Sequence, residues 1–149
     1  MSDMSNEKKK VLFICIHNSA RSQMAETFLN DLGGEKFEAE SAGLEPGTLN
    51  PLVVQVMAEE GYDISGNSTN SVFDFHREKR TYDIVVAVCS KEAEERCPIF
   101  PGTGERLHWP FDDPSSMDGS QEERLEATRR IRDQIKAKIE EFIAEESFR

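Results

Sequence analysis

Cys15-Ile16-His17-Asn18-Ser19-Ala20-Arg21-Ser22 sets a thiol and a guanidinium with five residues between them, and hydroxyls at Ser19 and Ser22. A thiolate is a nucleophile, and the planar arginine fork grips two oxygens of a tetrahedral oxyanion. The loop from Ile16 to Ser22 is long enough to wrap its backbone N–H groups around such an anion. The same positive potential favours Cys15 as its thiolate at neutral pH, and Ser19 or Ser22 can hold the loop or the sulfur by hydroxyl bonds. The plain alternative is a buried strand-end cysteine with Arg21 in an ordinary ion pair. A bare Cys-x5-Arg spacing is common by chance. What favours chemistry is its position, directly after an apolar run and directly before an amphipathic one.

Two further groups complete a possible site. Asp112-Asp113-Pro114, after Trp109-Pro110-Phe111, offers a carboxylic acid beside apolar side chains, a setting that keeps a proton available for a leaving oxygen. The bland reading is an acidic turn in an acidic chain. Cys89 and Cys97 have seven residues, Ser90 to Arg96, between them and follow a β-branched run. In a parallel sheet Cys89 would share an edge with Cys15, and three thiols near one another suggest a disulfide relay. Two unrelated thiols remain the alternative. Zinc held with His108 lacks both the spacing and a fourth ligand.

The elements that must position these groups follow from patterning. Val11 to Ile14 is a continuous apolar run, as in a strand buried on both faces. Ala20 to Leu32 is a helix with Met24, Phe28, Leu29 and Leu32 on one face, stopped by Gly33-Gly34. Phe37 to Ser41 reads as a second strand, closed by Ala42-Gly43. Asn50-Pro51 caps a helix striped by Leu52, Val53, Val56 and Met57 and ended by Gly61. Ser65 to Asn70 is a polar loop and Val72 to Lys79 a short helix. Tyr82 to Val88 is a central strand, Cys89 to Pro101 a loop, and Leu107 to Trp109 an edge strand. Gln121 to Glu146 carries Leu125, Thr128, Ile131, Ile135, Ile139 and Phe142 at helical spacing. The alternation implies an α/β three-layer sandwich: a central, mostly parallel four-stranded sheet flanked by helices. The whole chain, 1–149, reads as one domain, with 1–9 and 147–149 as flexible ends.

Of 149 residues, 37% are hydrophobic and 32% charged, enough for one core without a staple. No run approaches a membrane span or a signal peptide, so a cytoplasmic, membrane-free protein is expected. The net charge of −11 disfavours nucleic acid and anionic lipid as partners. It also repels a small oxyanion at long range, so capture requires a local device. Three cysteines are too few and odd in number for a secreted disulfide framework and suit a reducing compartment.

Four blocks in order, Val11 to Glu26 (VLFICIHNSARSQMAE), Ser41-Ala42-Gly43, Val85 to Pro98 (VVAVCSKEAEERCP) and His108 to Pro114 (HWPFDDP), resemble the thioredoxin-coupled arsenate reductases on the low-molecular-weight tyrosine phosphatase fold. The resemblance runs from Val11 to about Phe142. It implies that Cys15 attacks arsenic, while Arg21 and the loop residues Ile16, His17, Asn18, Ser19, Ala20 and Ser22 bind the oxyanion. Asp113, directly before Pro114, would protonate the departing hydroxyl. Cys89 would attack the Cys15 sulfur, and Cys97 would then attack Cys89, leaving a Cys89–Cys97 disulfide for thioredoxin as electron donor. Such exchange requires the 89–97 segment to rearrange locally. The ligands implied are arsenate, with phosphate or sulfate as stand-ins, and a monomer without a tightly bound cofactor is expected.

The chain departs from the family at four points. Its Cys89–Cys97 spacing is one residue longer, and Ala20 stands where relatives often have cysteine. The resemblance implies a potassium site at Asn18, Glu26 and Ser41, completed by an aspartate where this chain has Asn70. His17 replaces a commoner small residue and either tunes the loop's charge or caps backbone groups. The nearest rival is a tyrosine phosphatase using Cys15, Arg21 and Asp113 with water. Phosphatases usually carry tyrosines after the Asp-Pro pair, whereas Ser115-Ser116 follow here and Cys89 and Cys97 would be idle. A non-catalytic oxyanion sensor needs neither Asp113 nor the extra thiols. Glutathione with glutaredoxin, or mycothiol, would make Cys97 dispensable, so the third thiol favours thioredoxin and a weak phosphatase side activity remains compatible.

Overall fold

The computed structural model describes residues 8–89, 95–100 and 102–146. Four strands form one sheet: β1 (Lys9–Cys15), β2 (Phe37–Gly43), β3 (Ile84–Ala87) and β4 (Glu105–His108). Their spatial order is β2-β1-β3-β4, and every neighbouring pair is parallel, where the sequence suggested a mostly parallel sheet. All of Val11 to Cys15 and all of Ile84 to Ala87 are buried. Side chains alternate between the two faces of a strand, so both faces of the sheet are covered.

The covering helices are α1 (Arg21–Leu32), α2 (Pro51–Glu59), α3 (Val72–Arg77) and α4 (Gln121–Glu146), with a 3-10 turn at Pro114–Ser116. The stripe along α4, from Leu125 through Thr128, Ile131, Ile135 and Ile139 to Phe142, is buried throughout. Phe142 meets Phe37 and Trp109 with ring centroids 5.3 Å away in each case, and Trp109 in turn packs on Phe13 of β1. Asn50 caps α2 by accepting the Leu52 N–H at 2.8 Å, and Pro51 fills the first turn, where its missing N–H costs nothing.

Several boundaries differ from the pattern. Lys9, assigned to a flexible end, begins β1: its register partner is Phe37 and its amide donates to Lys36 O at 3.0 Å. β3 is shorter than the β-branched run, because Tyr82 and Val88 are buried beyond the ends of the ladder. β4 begins at Glu105, two residues earlier than expected, and Trp109 lies just past its end. Residues 1–7, 90–94, 101 and 147–149 lie outside the described part, and with them the expected flexible ends and the middle of the Cys89–Pro101 loop. No described helix is long and apolar enough to cross a membrane.

Candidate active site

β1 ends at Cys15 and α1 begins at Arg21, so the connecting loop lies at the C-terminal edge of the sheet, where parallel sheets bind ligands. The loop's carbonyls are all turned away from its interior. Those of Cys15, Ile16, His17 and Ser19 accept from the backbone N–H groups of Leu44, Glu45, Gly47 and Asn50 at 2.7–3.1 Å. That of Asn18 accepts from Gln23 Nε2 at 3.0 Å. A trans peptide points its N–H opposite to its C=O, so the loop amides are left facing inward. Asn18 N donates to Cys15 Sγ at 3.1 Å. The amides of Ile16, His17, Ser19, Ala20 and Arg21 have no acceptor among the described residues. α1 has no side-chain N-cap, since its cap residue is Ala20, and no acid in its first turn. An anion is the group that such a helix start lacks.

Two backbone features make this wrapping possible. Asn18 has φ +54°, the left-handed region that asparagine tolerates better than most residues. Gly43 lies so close beneath the loop that a Cβ would come within 2.7 Å of both Asn18 N and Ile16 O. Only glycine fits there.

Buried side chains fix the nucleophile. Asn18 Nδ2 donates one proton to Ser22 Oγ at 2.8 Å and the other to Ser41 Oγ at 2.9 Å. Ser41 in turn donates to Glu26 Oε1 at 2.5 Å, and Ser22 Oγ lies 2.9 Å from Cys15 Sγ, a pair in which the hydroxyl donates once the sulfur is a thiolate. The sulfur thus has two hydrogen-bond partners, the Ser22 hydroxyl and the Asn18 amide. Ser19 takes no part. The Glu45 carbonyl can only accept, so the His17 ring Nδ1 at 2.9 Å donates and caps that backbone group.

Arg21 is buried, yet its guanidinium reaches from α1 to the 111–114 loop. Nη1 donates to Phe111 O at 2.9 Å, and Nη2 lies 3.7 Å from Asp113 Oδ2. Asp113 is also the cap of the following 3-10 turn, accepting from Ser115 N at 2.9 Å and Ser116 Oγ at 3.3 Å. The loop arginine and the expected acid are therefore brought together. Cys89 follows β3, the neighbour of β1. Val88 N donates to Ile14 O at 3.0 Å, and Cys89 Sγ points to the same carbonyl at 3.7 Å. The two cysteines share the sheet edge, as parallel pairing requires. The Cys89 carbonyl accepts from His108 Nε2 at 2.6 Å, so this histidine holds the backbone of Cys89. Cys97 is buried, with its Sγ 3.4 Å from Pro98 O.

The atoms proposed for potassium do not fit that ion. Asn18 Oδ1 already accepts the Asn70 N–H at 2.8 Å, and the Ser41 carbonyl accepts Asn70 Nδ2 at 3.1 Å. Glu26 Oε1 accepts the Ser41 hydroxyl, and burial raises the pKa of this carboxyl above its ordinary value. An amide donor, Asn70 Nδ2, stands where the family's aspartate would supply negative charge, so the expected set Asn18, Glu26 and Ser41 holds a single carboxylate and its oxygens take part in internal hydrogen bonds. Among the described residues no cluster of three or more His, Cys, Asp or Glu side chains is arranged to hold a metal.

Sequence reasoning missed Gln23, Gly43 and the 44–50 segment as parts of the loop. Gln23 and Gly43 stand inside the blocks Val11 to Glu26 and Ser41-Ala42-Gly43, which gave neither a role in shaping the loop.

The chain shares 40% identity over 136 residues with an arsenate reductase of Shouchella clausii, covering 91% of this chain and 95% of that one. Its structure superposes with a TM-score of 0.74 on an arsenate reductase in the phosphate binding state, 34% identical, covering 92% and 98% of the two chains. It also matches a thioredoxin-dependent arsenate reductase of Corynebacterium glutamicum, with a TM-score of 0.68 and 28% identity, over 93% of this chain and 60% of that one. The model of the low molecular weight phosphotyrosine protein phosphatases matches residues 10–147, from the first strand to the end of the last helix. This chain, with Cys15, the inward-facing loop amides and Arg21 gathered at the C-terminal edge of its sheet, belongs to that family.

Proposed function

We propose that this protein reduces arsenate to arsenite through a thiol relay recharged by thioredoxin. The observation that carries this reading is the placement of Cys89 at the end of β3, on the sheet edge that carries Cys15 and its oxyanion loop. Hydrolysis of a phosphate ester needs one thiolate and water. Nothing in it calls for a second buried thiol beside the first, or for Cys97. The relatives named above support arsenate as substrate, and the Corynebacterium protein supports thioredoxin as donor.

The steps balance as follows. The Cys15 thiolate, held by Ser22 and the Asn18 amide, attacks arsenic, while Arg21 and the loop amides hold the other oxygens. Asp113 gives a proton to the departing hydroxyl, which leaves as water. The Cys89 thiolate then attacks Cys15 Sγ. The S–As bond breaks with its electron pair passing to arsenic, As(V) becomes As(III), and arsenite departs as a Cys15–Cys89 disulfide forms. Cys97 attacks Cys89 and restores Cys15 as a thiolate. The resulting Cys89–Cys97 disulfide takes two electrons from the thioredoxin dithiol.

The test is arsenite production from arsenate with thioredoxin, its reductase and NADPH, beside the Cys89→Ser variant. Sustained turnover in the parent protein and none in the variant is expected. No arsenite from either protein, with phenol released from an aryl phosphate, would instead make this a phosphatase.

A further inference from the structure

Gln23 has no assigned task in this chemistry, yet it is among the most completely buried polar residues in the molecule, at 1% exposure. Its carboxamide is fully engaged. Nε2 donates to Asn18 O and to Ser68 O, both at 3.0 Å, and Oε1 accepts from Asn67 Nδ2 at 3.1 Å. Two carbonyls on one side and an amide on the other leave one orientation for the group. Of the five loop carbonyls from Cys15 to Ser19, four are held by backbone N–H groups of residues 44–50. The fifth, that of Asn18, depends on this side chain.

That dependence falls on one peptide. Asn18 O and the Ser19 N–H belong to the same planar trans unit and point in opposite directions. Holding the carbonyl on Gln23 aims the Ser19 amide, which has no acceptor among the described residues, toward the oxyanion. Asn18 is fully buried, so its carbonyl would find no water if released. Rotation of the peptide would be its route to a new partner, and that rotation would withdraw the Ser19 N–H from the loop and turn an oxygen toward the anion.

We propose that Gln23 is a positioning residue that locks the Asn18–Ser19 peptide in its anion-binding orientation and couples it, through Ser68 and Asn67, to the 66–70 loop. The inference rests on the oxyanion-loop part of the proposed function and adds a residue that sets oxyanion affinity. It also separates two properties of the site. The donors to Cys15 Sγ are Ser22 and the Asn18 N–H, and the latter belongs to the preceding peptide. Losing Gln23 therefore weakens anion binding while leaving the sulfur's own hydrogen bonds in place.

The experiment uses inorganic phosphate as probe and iodoacetamide alkylation of Cys15, followed by peptide mass, as readout. In Gln23→Met, which keeps the volume and removes both donors, the phosphate concentration that half-protects Cys15 is expected to rise about tenfold to a hundredfold. The alkylation rate without phosphate should stay within about threefold of the parent. If Gln23→Met does not fold, the same comparison with Gln23→Leu, neutral and without donors, is expected to show the same separation. Unchanged phosphate protection in the variant overturns the proposal. So does a parallel change in unprotected alkylation, which would mean that the loop had deformed as a whole. Failure of phosphate to protect the parent protein would overturn the oxyanion-loop reading itself, a result distinct from either.

Discussion

Arg21 does two things at once in this structure, and a double-variant cycle separates them. Under the proposed function its fork grips arsenate, and the same guanidinium anchors the 111–114 loop through Phe111 O at 2.9 Å and Asp113 at 3.7 Å. Arg21→Lys keeps the charge and removes the fork. The bond to Phe111 O joins a charged donor to a partly buried carbonyl and is worth about 1.5–3 kcal/mol. The Asp113 pair adds about 0.5–1 kcal/mol, discounted because a third of that side chain is exposed. Loss of one of two bonds to the oxyanion costs about 1.5–3 kcal/mol more, and the three losses together, about 3.5–7 kcal/mol, should lower kcat/KM by at least about three-hundredfold. Asp113→Asn removes the proton donor and should cost about a hundredfold in the parent background. In the Arg21→Lys background the acid is already displaced, so the same change should cost only about fivefold to twentyfold. That shortfall corresponds to a coupling of about 1–2 kcal/mol. The assay is steady-state NADPH oxidation coupled through thioredoxin, with arsenite measured directly. A full hundredfold loss from Asp113→Asn in both backgrounds would refute the claim that Arg21 positions the acid.

Cys97→Ser should form one arsenite per protein molecule and then stall with thioredoxin, because the Cys15–Cys89 disulfide has no internal thiol to resolve it; normal multiple turnover would exclude the relay. Gly43→Ala puts a Cβ within 2.7 Å of two backbone atoms of the oxyanion loop. It should destabilise the fold by about 1–3 kcal/mol, read in urea, and weaken phosphate protection of Cys15. Arsenite formation should be equal in potassium and choline chloride at matched ionic strength, since Asn70 already occupies the acceptors a cation would need. Asn70→Asp should introduce a potassium dependence, and activation of the parent protein by potassium would contradict the hydrogen-bond assignment.

What the sequence made legible is what short-range pattern encodes. Cys15 and Arg21 announced themselves by spacing, and β1 by an unbroken apolar run. The stripe of α4, from Leu125 to Phe142, is the buried face found in the structure. The pairing of Cys89 with the Cys15 edge followed from parallel order alone. What stayed hidden depends on contacts between distant segments. The wrapping of the loop by Leu44, Glu45, Gly47 and Asn50 uses backbone amides, which carry no side-chain signature. Gln23 reads as one more polar residue on an amphipathic helix until its two acceptors are placed around it. Lys9 read as part of a polar tail because charge dominates residues 7–10, although the ladder to β2 reaches it. Asn70 was visible as a lost charge, but its use as a double donor was not.

The oxyanion loop works against the rest of the molecule, and salt measures by how much. A net charge of −11 on a globule of about 19 Å radius repels a dianion at its surface by about 5 kcal/mol in water without ions. Screening lowers this to about 3 kcal/mol at 0.01 M salt and about 1.5 kcal/mol at physiological salt. The difference sets an upper bound of about tenfold. At the site itself the inward amides, the open start of α1 and Arg21 are fixed at close range, where screening changes little. Raising choline chloride from about 0.01 to 0.15 M should therefore increase kcat/KM for arsenate about threefold to tenfold, whereas most anion sites weaken with salt. A decrease over that range would mean that long-range attraction brings arsenate in. The loop would then be only the end of a positive path across the surface, which a chain with 29 acidic and 18 basic residues is poorly composed to provide.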